Sequence, residues 1–204
     1  MITIEKIIKK KAKGKALSHS VPHFQLQKEI NFFVNGYTKG EINDELMTSL
    51  LKAICEKGMN EKETIRLTTS MLNSGSRIDL SSIGVCLDKH SSGGVSDSTT
   101  LILAPILASL GLKMVKMSGR SLGFTGGTID KFETFEANTN LSLDEAKEIA
   151  NKVGAVILCQ TETLVPADKK IYALRDKTNT VASLPLIASS IVSKKLASGA
   201  KIIV

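Results

Sequence analysis

Two short apolar segments are each followed at once by a polar loop rich in glycine, and this repetition restricts the fold more than any other feature of the chain. Val85–Leu87 leads into DKHSSGGVSDS (Asp88–Ser98), and Leu112–Met117 leads into SGRSLGFTGGT (Ser118–Thr128). Between them Thr99–Leu110 is apolar throughout and reads as a buried helix despite Pro105. Strand, glycine loop, helix, strand is a βαβ unit, for which a parallel, right-handed crossover is strongly favoured. Both loops then leave the carboxyl ends of neighbouring strands, the edge at which open α/β sheets bind ligands.

The segments on either side fill out the organisation. Before about residue 84 the apolar spacing is helical: Ile4–Lys13, Phe24–Val34, Ile42–Cys55, and a helix that starts at Asn60 with Glu63 and ends near Gly75. After the second loop, Ser142 with Glu145 forms a capping box for a helix over Leu143–Val153. Ala155–Cys159 reads as a strand, Pro166 opens a helix to about Arg175, and Leu184–Leu196 is a further helix closed by Gly199. The final KIIV reads as the start of a strand. The fold class is α/β: a helical part and an α/β part with a mainly parallel sheet, truncated at its C-terminal side.

Composition limits the partners. The formal net charge is +7, almost all of the positive charge being lysine. Such a balance suits nucleic acid, an anionic membrane surface or small anions. The block KKKAKGK (Lys9–Lys15) follows Ile4, Ile7 and Ile8 at helical spacing and reads as a solvated helix face. With no zinc-ligand spacing and no aromatic-rich RNA motif beside it, nucleic acid is not the expected partner. The longest apolar run is broken by Pro105 and is too short to span a bilayer. The N-terminus has no apolar signal core, and the scattered Cys55, Cys86 and Cys159 read as buried thiols of a reducing compartment. The expected location is the cytoplasm.

The first loop carries the clearest chemistry. Gly93 and Gly94 let the backbone fold so that its N–H groups converge, the following helix presents its positive end, Lys89 adds a full charge, and Ser91 and Ser92 add hydroxyls. These parts describe an oxyanion site, for phosphate above all. Neither GxxxxGK[ST] nor GxGxxG is present. Thr128 heads a helix beyond the second loop, in reach of the same anion. Ser190 and Lys194 stand four apart on one helix face, but taken alone Lys194 is a helix-end lysine and Arg175 a surface arginine.

DKHSSGGVSD, SGRSLGFTGGTIDKFE and PADKKIYALRD…SLPLIASSIVSKK together resemble the pyrimidine-nucleoside phosphorylase and thymidine phosphorylase family, in the right order over nearly the whole chain. The resemblance implies phosphorolysis of uridine, thymidine or deoxyuridine to free base and a pentose 1-phosphate, with inorganic phosphate as co-substrate and no organic cofactor. It implies a discontinuous helical domain (1–75 and 163–197) and a phosphate-binding α/β domain (80–162 and 198–204). By motif, Lys89, Ser91, Thr100, Lys116, Ser118 and Thr128 would bind phosphate. His90, Arg175, Ser190 and Lys194 would hold the pyrimidine, with His90, Arg175 and Lys194 stabilising charge on the departing base and His90 placed to donate a proton. Ser96 and Ser98 fall at two positions of the family's potassium site. A homodimer through the helical domain is a further implication. Phe124 stands where the family usually has histidine, and residues 19–27 look like a surface insertion. The family's later strands do not follow Val204, so a weakly stable or self-associating chain is expected, poorly active unless a C-terminal half chain completes it. The competing expectations are a fragment that binds phosphate or nucleoside without turnover, and a related phosphoribosyltransferase.

Overall fold

The computed structural model describes residues 2–17, 28–90, 97–120, 126–159, 161 and 163–204. Ser91, Ser96, the Gly93–Gly94 pair, Phe124 and the 19–27 segment lie outside the described residues. In chain order the elements are α1 (Ile4–Ala12), α2 (Lys28–Lys39), α3 (Asp44–Lys57), α4 (Glu61–Leu72), a 3-10 turn (Ser81–Ile83), β1 (Cys86–Asp88), α5 (Ser98–Ser109), β2 (Lys113–Ser118), α6 (Thr128–Glu133), α7 (Leu143–Val153), β3 (Ala155–Cys159), α8 (Pro166–Lys177), α9 (Leu184–Ala197) and β4 (Ile202–Ile203). They form two compact units, Met1–Gly75 with Val165–Ser193 and Ser76–Leu164 with Lys194–Val204. The division falls inside α9, so Lys194–Ala197, assigned by the sequence to the helical part, belong to the α/β unit.

The helical unit is built by caps and apolar stripes. Asn43 accepts from Leu46 N at 2.9 Å to start α3. Asn60 and Glu63 exchange backbone and side-chain bonds at the head of α4. Ile7, Ile30, Phe33, Leu50, Ile54, Leu67 and Met71 are buried, and α1 packs on α3 while α2 packs on α4 and α8. α2 continues to Lys39 beyond the expected Val34, because Gly36 and the buried Tyr37 belong to its packed face. A Cβ at Gly36 would come within 2.8 Å of the end of the Ile42 side chain, so a larger residue on this helix face would require Ile42 to shift.

One expectation fails in this unit. The lysine block is not wholly a solvated face: Lys11 is 2% exposed and its ammonium lies 2.9 Å from Glu63. The partner is 52 residues away, beyond what helical periodicity can register.

The α/β unit holds a four-stranded sheet in the order β3-β2-β1-β4, all neighbours parallel. β1 is therefore flanked on both sides, pairing Leu87 with Met114 on β2 and with Ile202 on β4. Ala104, Met114, Ile129 and Ile157 form a buried core against which Leu87, Leu107 and Phe132 pack. Gly199 follows α9 at φ +75, and a Cβ there would meet Ile78 O at 2.1 Å, so the turn into β4 requires glycine.

α5 departs from expectation. It was expected to be buried, but only Thr100 and Ala104 are, whereas Ile102 is 61% and Leu110 71% exposed. A helix apolar all round has no polar side to mark its outer face, so the sequence could not say that one stripe alone would meet the sheet. No helix among the described residues is long and apolar enough to cross a membrane.

Candidate functional site

The tips of β1 and β2 carry the concentration of buried charge expected of an anion site. Asp88 ends β1, and both its carboxylate oxygens accept from Lys195 Nζ at 2.9 Å. Ser198 Oγ donates to the same carboxylate at 3.3 Å, and Lys195 also reaches Met117 O at 3.2 Å. Lys195 thus ties the last turn of α9 to the ends of both central strands.

Lys116 lies beside this pair. Its ammonium is 4.0 Å from Asp88 and donates to Lys89 O at 2.7 Å. Burial disfavours its charge and the nearby Lys195 adds repulsion, which together draw its pKa down to about 8. Ser118, also buried, ends β2.

The next residues meet at Asp97. Lys89 Nζ donates to Asp97 Oδ1 at 2.8 Å and to Thr99 Oγ1 at 2.7 Å. Thr100 Oγ1 donates to Asp97 Oδ1 at 2.6 Å, and Thr128 Oγ1 donates to Asp97 Oδ2. The structure therefore brings Lys89, Thr100 and Thr128, taken from the β1 tip, α5 and α6, onto one carboxylate that is 1% exposed. Burial raises the Asp97 pKa, but the bonds from Lys89 and Thr100 outweigh it and hold the carboxyl below its usual range.

His90 follows directly, with an exposed side chain and its backbone N–H on Val204 O at 2.7 Å. The protein packed along its ring, then the ammonium groups of Lys195 and Lys116, push its pKa below the usual histidine value, against the pull of Asp97. Lys194 is buried in the last turns of α9.

Arg175 and Ser190 belong to the helical unit. Arg175 is no surface arginine: it is 1% exposed. Its guanidinium donates to Thr180 O at 3.3 Å, Val181 O at 2.8 Å and Leu186 O at 3.3 Å, and so shapes the chain entering α9. Burial lowers its pKa from the ordinary arginine value. Ser190 is buried, with its carbonyl accepting from Ser193 Oγ at 3.2 Å. For potassium, the described residues offer only Ser98, an exposed hydroxyl at the first position of α5.

Sequence reasoning missed Asp88, Asp97 and Lys195. Asp97 was open to inference: an acidic residue in a loop meant for an anion makes sense only if it engages the loop's own donors.

Comparison with known proteins places this architecture. Residues 84–204 match the model described as "Glycosyl transferase family, a/b domain", and residues 5–75 match "Glycosyl transferase family, helical bundle domain". The chain belongs to this glycosyl transferase family. Among curated relatives of the family, the pyrimidine-nucleoside phosphorylases of Staphylococcus epidermidis and Geobacillus stearothermophilus are each 52% identical over 200 residues, and that of Bacillus subtilis is 51% identical. In each case the match covers 97% of this chain and 44% of the relative, so the chain spans less than half the length of these relatives. A crystal structure of anthranilate phosphoribosyltransferase from Thermus thermophilus superposes with a TM-score of 0.70 at 17% identity, covering 97% of this chain and 57% of that one, a likeness of fold.

Proposed function

We propose that this chain supplies the phosphate-binding part and part of the base-binding part of a pyrimidine-nucleoside phosphorylase, acting on uridine, thymidine or deoxyuridine. The observation that carries the proposal is the convergence of Lys89, Thr100 and Thr128 at the strand tips, with Lys116 bonded to the Lys89 carbonyl. Lysine and hydroxyl donors in a largely buried cluster suit hydrogen phosphate, whose oxygens accept several bonds at once.

The reaction needs no protein nucleophile. An oxygen of hydrogen phosphate forms a bond to C1′ as the C1′–N bond breaks, and the electron pair of that bond leaves with the base. Positive charge develops on the sugar, as in glycoside cleavage, and the phosphate dianion beside it offsets that charge. The proton lost by hydrogen phosphate ends on the departing base. Lys89, Lys116, Thr100 and Thr128 orient the nucleophile. Lys194 and His90 stabilise negative charge on the ring oxygens of the base, both as hydrogen-bond donors. Arg175 orders the chain that leads into Ser190 and Lys194. A cytoplasmic setting accords with three free cysteines, and a homodimer through the helical unit belongs to the same reading.

The test is to incubate the chain with uridine or thymidine and phosphate, alone and with a polypeptide supplying the rest of the relatives' length. Base release in the second mixture is expected, and no release in either overturns the proposal. A second reading, binding without turnover, follows from the 44% share of the relatives that the chain spans. Calorimetric binding of phosphate or nucleoside with no base release in either mixture would favour it.

A further inference from the structure

We propose that Asp97 is a positioning residue of the phosphate site, its carboxylate gathering Lys89, Thr100 and Thr128 in one cluster so that phosphate meets a donor set already assembled. This rests on the phosphate reading above and deepens it. Three separate stretches of chain converge here: the tip of β1, the first turn of α5 and the first residue of α6. Without a common acceptor, two buried hydroxyls and a largely buried ammonium would have to find other partners.

Counting protons sharpens the role. Each threonine hydroxyl has one proton, and both protons point at Asp97. Lysine has three; one is on Asp97 and one on Thr99, which leaves one for a ligand. In the resting site the carboxylate therefore stands where an anion is to be received. When phosphate enters, the two hydroxyls turn their protons from carboxylate to phosphate, while Asp97 keeps Lys89 in place. The donors need no search for geometry, which is the preorganisation that anion-stabilising sites rely on.

A rival role predicts the opposite sign. If Asp97 merely competed with phosphate, removing its charge would tighten phosphate binding. Replacing a carboxylate by a neutral amide strengthens the field for an anion, so any loss of affinity in Asp97→Asn must come from geometry. The experiment is calorimetric titration of inorganic phosphate into the 204-residue chain, for wild type, Asp97→Asn, Thr128→Val and the double variant, with the thermal transition of each as a check on folding. Asp97→Asn is expected to weaken phosphate by about tenfold or more, the equivalent of one charge-assisted hydrogen bond. In the Thr128→Val background the same change is expected to cost less than in wild type, because one of the three bonds to the carboxylate is already gone. Equal or tighter binding by a folded Asp97→Asn overturns the proposal and leaves the phosphate site standing. Should Asp97→Asn not fold, Asp97→Glu decides, since it keeps the charge but moves the acceptor; unchanged or tighter phosphate affinity there overturns the proposal. Wild type that binds no phosphate overturns the phosphate reading itself, and this inference with it.

Discussion

The two units use the same pair of residue types to opposite ends. In the helical unit Glu63 is fully engaged: Oε1 accepts from Lys11 Nζ at 2.9 Å and Leu17 N at 2.7 Å, and Oε2 from Asn60 N at 2.8 Å. One carboxylate meets one ammonium, and the remaining bonds come from backbone that the carboxylate caps. At the strand tips of the α/β unit, three ammonium groups (Lys89, Lys116 and Lys195) share two carboxylates (Asp88 and Asp97), an excess of one positive charge. A closed, neutral pair has only the fold to serve. An unbalanced buried cluster is costly to the fold and is explained by something that completes it from outside.

The largest effect should come from Asp88→Asn. It removes the partner of Lys195 and leaves Lys116 without its nearest counter-charge, so unfolding in urea should reveal a loss of about 3–5 kcal/mol. Phosphate binding should fall as well, because the strand tips lose their tie to α9. Lys11→Met should cost somewhat less, about 2–4 kcal/mol, since Glu63 keeps its two backbone donors. Phosphate affinity should not move, and a change would break the contrast between the units.

Lys116→Met should separate the two properties. Phosphate affinity should drop by about tenfold or more, while stability at pH 7 should hold or rise. The sign follows from linkage. The folded-state pKa of Lys116, about 8, lies below its ordinary 10.5. Below pH 8 the lysine is charged in both states, and the folded chain bears the whole penalty of burying it. Between pH 8 and 10.5 the folded chain sheds the proton first, so the penalty fades and wild-type stability gains relative to the variant. By the same titration, wild-type affinity for phosphate should weaken as pH rises through about 8, measurable by calorimetry across that range. A flat profile would remove Lys116 from the site.

The smallest effect belongs to Arg120, whose side chain is 62% exposed despite its 2.5 Å contact with Glu133. Arg120→Ala should shift stability by no more than about 0.5 kcal/mol, as for most exposed ion pairs. A larger loss would mean that charge outside the buried clusters also holds the fold.

How much of this was legible depends on how local the cause was. α7 and β3 lie where Ser142, Glu145 and the Ala155–Cys159 run put them, because caps and short apolar runs act within a few residues. The burial of Lys11, the exposed face of α5 and the carbonyl clamp of Arg175 were not legible. Each depends on which distant segment packs where, and residue spacing is silent on that. At the candidate site the lysine, the threonines and the strand-tip location could be read from motif and order. The acidic half could not. A search for anion-binding groups looks for donors, and Asp88 and Asp97 matter as acceptors that hold those donors still.

β1 is short, yet like β2 it is held on both flanks, and the hold extends beyond it. Val204 N donates to Asp88 O at 3.0 Å, and His90 N donates to Val204 O at 2.7 Å. The amide of an exposed histidine is thus laced into the ladder of a central strand. Because β4 is a two-residue strand at the edge of the sheet, the His90 amide proton should exchange with deuterated solvent faster than the amides of β2, and its protection reports how firmly that edge is held.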